Sequence, residues 1–178
     1  MYLQPDEIAA FFRAVTAKRD RAVFRLAYHR GLRAHEVGLI QLADFRDRDG
    51  VLYVRRGKGS VSREHSLIRE ELLALRAWIK ERGVHPGAMF PSRQGGAITR
   101  SRLDQLMKSY CRAAGIERAK AHMHAWKHTC GTQLSERGNG AAEIQDWLGH
   151  RDSKSTDIYL HFTARRREES LAKNRDWR

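Results

Sequence analysis

Between residues 122 and 128 the chain reads HMHAWKH, three histidines, a tryptophan and a lysine in seven positions, opening the longer segment HMHAWKHTCGTQLSERG. His124 and His128 stand one helical turn apart, the spacing at which two imidazoles can reach a single zinc ion. The residues between them argue against that use: HAWKH lacks the glutamate of HExxH, and Lys127 would set an ammonium beside the cation. Cys130 does not complete a ligand set either, because it falls on the side of Trp126 and Leu134, an apolar stripe at helical spacing. No metal site is expected. His124, Lys127, His128 and Gly131 share a different side, at i, i+3, i+4 and i+7. Histidine and lysine are donors suited to a phosphate, and a glycine in the same row admits close approach of another group. Without a metal, cleavage of a phosphodiester needs a protein nucleophile, cationic donors for the non-bridging oxygens and an acid for the leaving 5′ oxygen.

The elements that must carry these parts are mainly helical. Ile8, Phe11, Phe12 and Val15 fall at helical spacing after Pro5 and Asp6, and a second helix turns Val23, Leu26 and Ala27 inward before stopping near Gly31. The period then changes. Asp49-Gly50 is a hairpin signal, Leu52 and Val54 alternate with Val51 and Tyr53, and Val61, Arg63, His65 and Leu67 alternate after the turn GKG, which predicts a small antiparallel sheet of about three strands. Helical spacing returns at Leu72, Leu75 and Ile79, breaks at GVHPGAMFPSRQGG, and resumes at Leu103, Leu106, Met107 and Tyr110. That loop is the one candidate linker, too short to divide the chain. Three short helices are expected at about 124 to 137, 141 to 148 and 153 to 162, followed by a charged tail over 162 to 178. The fold class is α+β, mainly helical, in a single domain spanning 1 to 178.

The bulk numbers point to a polyanionic partner. The 178 residues carry 34 Lys and Arg against 21 Asp and Glu, a formal charge of +13, and such an excess attracts nucleic acid through long-range field and counterion release. Two cysteines, Cys111 and Cys130, form no CxxC pair, which fits a reducing cytoplasm better than a disulfide framework. Neither a signal sequence nor a run of about 20 apolar residues is present, so no membrane association is expected.

Four blocks in order make the chain recognisable: AYHRGLRAHEVGLIQLADF, RRGKGSVSREHSL, HAWKHTCGTQL and IQDWLGHRDSKSTDIYLHF. Together they resemble the catalytic domain of the tyrosine recombinases, the phage integrase family, over nearly the whole chain. In length and in HAWKHTCG and IQDWLGHR the chain is most similar to the short fimbrial inversion enzymes of that family. The resemblance implies a double-stranded DNA substrate, cleavage and rejoining through a covalent 3′-phosphotyrosine, no cofactor, and a homotetramer on two DNA sites with a monomer as the form off DNA. It implies roles residue by residue. Arg33 in GLRAHE matches an arginine that clamps the scissile phosphate, and Glu36 a carboxylate that steadies it. Lys58 in GKG matches the general acid for the 5′ oxygen. His124 matches a histidine that contacts the phosphate and assists proton transfer, with His128 in support. His150, just past the Gly149 helix stop, matches a donor to a non-bridging oxygen, and Tyr159 the nucleophile. Spacing alone would leave Tyr159 a core-edge aromatic beside Ile158 and Phe162, as Tyr28, Tyr53 and Tyr110 look.

Two departures stand out. Lys127 occupies the place of the family's second phosphate-clamping arginine, keeping the charge and losing the bidentate fork. The family's usual amino-terminal DNA-clamping domain has no counterpart before MYLQPDEI, as in an excised domain or a naturally short recombinase. Two alternatives follow: a weakened or inactive DNA-binding relative, disabled at Lys127, or DNA relaxation of the type IB topoisomerase kind. The tail TARRREESLAKNR is either a solvated helix or a segment that docks on a neighbouring subunit.

Overall fold

Residues 1–57, 59–151, 156 and 159 are described by a computed structural model of the chain. Helix α1 (Pro5–Ala14) begins with proline in its first turn and with the Glu7 carboxylate accepting from the Gln4 amide at 2.8 Å, a reciprocal cap that satisfies an otherwise open donor. It buries Ile8, Phe11 and Phe12 against α2 (Lys18–Arg30) and α6 (His124–Glu136). Phe11 is the hinge of an aromatic cluster, edge-on to Phe24 at 5.0 Å and to Trp126 at 4.9 Å between centroids. Tyr110 of α5 (Arg100–Ala113) joins from the other side and donates to Asp20 at 2.8 Å.

Helix α2 stops where expected, at Gly31 with φ +58, a left-handed conformation that glycine adopts without strain. A Cβ there would also stand 2.3 Å from the Leu148 side chain of α7 (Ala141–Leu148). Helix α4 (Arg69–Arg82) lies along α2 and is joined to it by a buried ion pair, Arg30 with Glu71, in which Arg30 Nε donates at 2.7 Å.

The sheet has the expected three antiparallel strands in the order β1 (Phe45–Arg46), β2 (Val51–Val54), β3 (Arg63–Ser66), with Leu52 opposite Phe45 and His65. On β2 the alternation holds: Leu52 and Val54 are buried, Val51 and Tyr53 half-buried. On β3 it holds only in part. His65 and Leu67 are buried, whereas Arg63, at the start of the strand, and Val61 are exposed; Val61 lies outside the ladder, and its amide donates to Gly149 O at 3.0 Å. The glycine- and proline-bearing loop is no linker. Met89 and Phe90 sit in the core, and Trp78 donates to Met89 O at 2.9 Å. Among the described residues no helix is long and apolar enough to cross a membrane.

Helices α6 and α7 fall within the expected bounds; the helix expected over 153 to 162 and the tail lie outside the described residues, Thr156 and Tyr159 excepted. Helix α6 is buried on more than its apolar side. Trp126 and Cys130 are buried as an apolar stripe should be, yet Lys127 and Gly131 on the other side are buried as well, Lys127 with only 2% of its surface exposed. The polar row thus runs from an exposed His124 through a half-buried His128 to an interior Lys127 and Gly131, covered by elements that form the site.

Candidate active site

Arg33 is the residue from which α3 (Ala34–Leu39) starts, and the helix is held by Glu36, whose Oε2 accepts from the Arg33 amide at 2.8 Å. The same carboxylate meets the Arg33 side chain, Nη1 to Oε1 at 3.1 Å, and a second arginine, Arg56, Nη1 to Oε2 at 3.0 Å. Glu36 is wholly buried, so it is a structural counterion and not a surface glutamate. Burial raises its pKa, but Arg56 and the Arg33 amide outweigh that and hold it below the ordinary carboxylate range.

Arg56 was not singled out by sequence reasoning. Its buried guanidinium donates to Glu36 and to three carbonyls, Arg30 O at 2.7 Å, Gly31 O at 3.3 Å and Trp147 O at 3.2 Å. It thus ties the segment after β2 to the ends of α2 and α7. Ser60 was missed too; its Oγ accepts from Arg33 Nη1 at 2.7 Å. Lys58, between these two, lies outside the described residues.

Lys127 extends from α6 toward this group. Burial, with Arg33 next, lowers its pKa to about 7, against the opposing pull of Glu36. The row continues with His124 one turn before Lys127 and with His128 next to it: His124 is exposed, its ring 4.5 Å edge-on from that of His128. Burial and then Lys127 lower the His124 pKa; burial and then His124 lower that of His128 to about 4. Both rings are therefore neutral near pH 7 before any anion arrives.

Tyr159 is 2% exposed and lies flat against Gly131. A Cβ at position 131 would stand 2.6 Å from the Tyr159 ring, so glycine is what admits the phenol to this face of α6. The His150 ring is stacked on the tyrosine at 6.4 Å and 16°, and His128 approaches at 6.0 Å. His150 is fixed by a 2.9 Å hydrogen bond between Nδ1 and Thr156 Oγ1. Burial raises the Tyr159 pKa above the ordinary phenol value, with the nearby Arg33 acting against it. Replacing Gly131 by alanine is expected to push the phenol aside at a cost of about 1–3 kcal/mol in strain. The measurable outcome is a loss of covalent DNA complex much larger than the loss of thermal stability; equal complex yields would show that the ring moves freely.

Seven of the eight residues named from sequence, Arg33, Glu36, His124, Lys127, His128, His150 and Tyr159, are accordingly brought together from α3, α6 and the segment after α7. Beside them opens a cleft of about 440 Å³ lined by Arg33, His35, Arg100, Lys108, His122 and His124, with Asp104 the acidic residue among its walls. Among the described residues no three His, Cys, Asp or Glu side chains are grouped to hold a metal ion.

Comparison with known proteins bears on the fold and the family. The chain is 34% identical over 177 residues to the type 1 fimbriae regulatory protein FimE of Escherichia coli strain K12, covering 93% of this chain and 87% of FimE. The crystal structure of XerA recombinase superposes with a TM-score of 0.84 at 24% identity, over 98% of this chain and 64% of XerA, and supports the fold. The site-specific recombinase XerH, solved bound to its difH substrate in a pre-cleavage complex, superposes with a TM-score of 0.80 at 25% identity, over 99% of this chain and 54% of XerH. The chain thus spans between half and two thirds of those two crystallised proteins. The profile of the phage integrase family matches residues 1–166, and on that match the chain belongs to the phage integrase family, the tyrosine recombinases that break and rejoin DNA.

Proposed function

We propose that this protein is a site-specific DNA recombinase that cuts and reseals one strand at a time through Tyr159. The observation that carries the reading is the packing of a buried phenol on Gly131, among His150, His128, the Arg33 guanidinium and the Lys127 amine, at the edge of a basic cleft. The Tyr159 oxygen forms a bond to the scissile phosphorus while the bond to the 5′ oxygen breaks. The phenol releases its proton to solvent, and the 5′ oxygen receives one from Lys58. Arg33 and Lys127 neutralise the charge that develops on the non-bridging oxygens, His150 donates to one of them, and His124 contacts the phosphate and assists proton transfer, with His128 beside it. One phosphoester replaces another, so resealing requires no nucleotide cofactor. Glu36 holds Arg33 in position. Cleavage at two sites within a homotetramer then allows strands to be exchanged, each protomer contributing one such domain and being a monomer when off DNA.

One observation favours a second reading, a DNA-binding relative that cuts poorly: Lys127 is a buried amine where a clamping guanidinium is expected. Incubation with supercoiled plasmid and with nicked duplexes separates the readings. Covalent adducts and joined products support the recombinase. Relaxation without joining indicates topoisomerase-like turnover, and binding without any adduct indicates the non-cutting relative. Lys127→Arg is expected to speed adduct formation on the nicked duplex, by up to about tenfold, by restoring a permanent two-pronged donor. A slower reaction would show a site built around lysine.

A further inference from the structure

An arginine carries its charge at every physiological pH, whereas a buried lysine amine can lose it. What surrounds Lys127 decides which state it holds. From α3 it faces Arg33 and Glu36, from the segment after β2 it faces Arg56, and on its own helix it has His124 one turn back and the buried Cys130 thiol one turn on the other way. Its stem lies against Gly31 at the end of α2. Glu36 is the one carboxylate in this set, and both its oxygens are already engaged: Oε1 by Arg33 Nη1 and Oε2 by the Arg33 amide and Arg56 Nη1. The Lys127 Nζ is buried and, among the described residues, accepts and donates no hydrogen bond. Two guanidiniums and an occupied carboxylate leave an ammonium here without a counterion, and burial with Arg33 presses the amine toward its neutral form. A phosphate brought against Arg33 and Lys127 would supply the missing anion.

Resting on the DNA-binding reading above, we propose that phosphate binding at this site draws one proton from solvent onto the Lys127 amine, making the protein's hold on DNA proton-linked. The amine gains a proton, no covalent bond changes, and the cation then pairs with the phosphate. Phosphate binding raises the amine's pKa, so uptake occurs above the value in the free protein and below that in the complex. Affinity therefore falls as pH rises through that window, by about tenfold per pH unit where one full proton is taken up. His124 and His128 can also gain protons, and any dependence they cause remains when Lys127 is changed.

The test uses the full chain with Tyr159→Phe, so that nothing is cut, and a mixed-sequence DNA duplex at low salt. Calorimetric titration at pH 8 in Tris and in HEPES, which differ in ionisation heat, reads the protons taken up; affinities from pH 7.5 to 9 read the slope. Lys127 intact is expected to give an uptake approaching one proton and the tenfold-per-unit slope. Lys127→Arg should lose the lysine-dependent slope and stay near the low-pH affinity, and Lys127→Met, which needs no counterion and covers the case in which arginine disturbs folding, should lose it and stay near the high-pH affinity. Binding with no uptake, or the same slope in all three proteins, overturns the inference while leaving DNA binding in place. If none binds the duplex, the DNA-binding reading itself fails, and the inference with it.

Discussion

Tyr159→Phe is expected to abolish the covalent protein–DNA complex, lowering its rate of formation by about 10⁴-fold or more, the scale seen when a covalent nucleophile is deleted. The substitution removes one oxygen and leaves the ring that packs on Gly131 and stacks beside His150. Folding and DNA affinity should accordingly stay close to those of the parent, which makes the loss chemical. The contrast is read by denaturing electrophoresis of the adduct beside a melting curve and a binding titration. An adduct formed at an undiminished rate would transfer the nucleophile to another residue. Because a phenol is protonated at neutral pH and burial raises this one's pKa further, attack must be accompanied by proton removal, so parental cleavage should be faster at alkaline pH until weaker phosphate binding offsets it.

Glu36→Ala carries the largest expected effect on stability, a loss of about 3–5 kcal/mol, typical when one member of a buried ion pair is deleted. Arg56 would be left charged and buried with carbonyls alone, and the Arg33 amide would lose its acceptor at the start of α3. Urea denaturation measures the loss. The diagnostic arm is the double variant Glu36→Ala with Arg56→Met, which removes the stranded charge and should regain a substantial part of the stability. Activity should not return with it, since Arg33 would still lack the carboxylate that holds its Nη1. A single variant as stable as the parent would mean that the three carbonyls suffice for Arg56.

Much of this architecture was legible in the chain. The apolar spacing of α1, α2, α5 and α7, the proline at the start of α1 and Gly31 and Gly149 at helix ends are local signals, and local signals survive folding. Asp49-Gly50 and the β2 alternation likewise located the sheet. Periodicity failed where the decisive neighbour is distant. It put Lys127 and Gly131 on one side of α6 but could not say what covers that side, because the covering groups, Tyr159 and the ends of α2 and α3, come from elsewhere in the sequence. Arg56 is one of 34 basic residues and nothing adjacent marks it as buried; its partners are 20, 25, 26 and 91 positions away. Val61 looked like a strand residue for the same reason: its amide partner, Gly149, is remote.

The contact between the turn after β2 and the end of α7 has a consequence for how such a protein can diverge. Ser60 pairs with His150 as an isolated antiparallel bridge, Val61 donates to Gly149 O at 3.0 Å, and a Cβ on Gly149 would stand 2.8 Å from Val61 O. The backbone at one place is therefore the wall of the other. Insertions that lengthen the turn, or side chains introduced at Gly149, must be matched across the gap, so the two stretches can change only together although some ninety residues separate them along the chain.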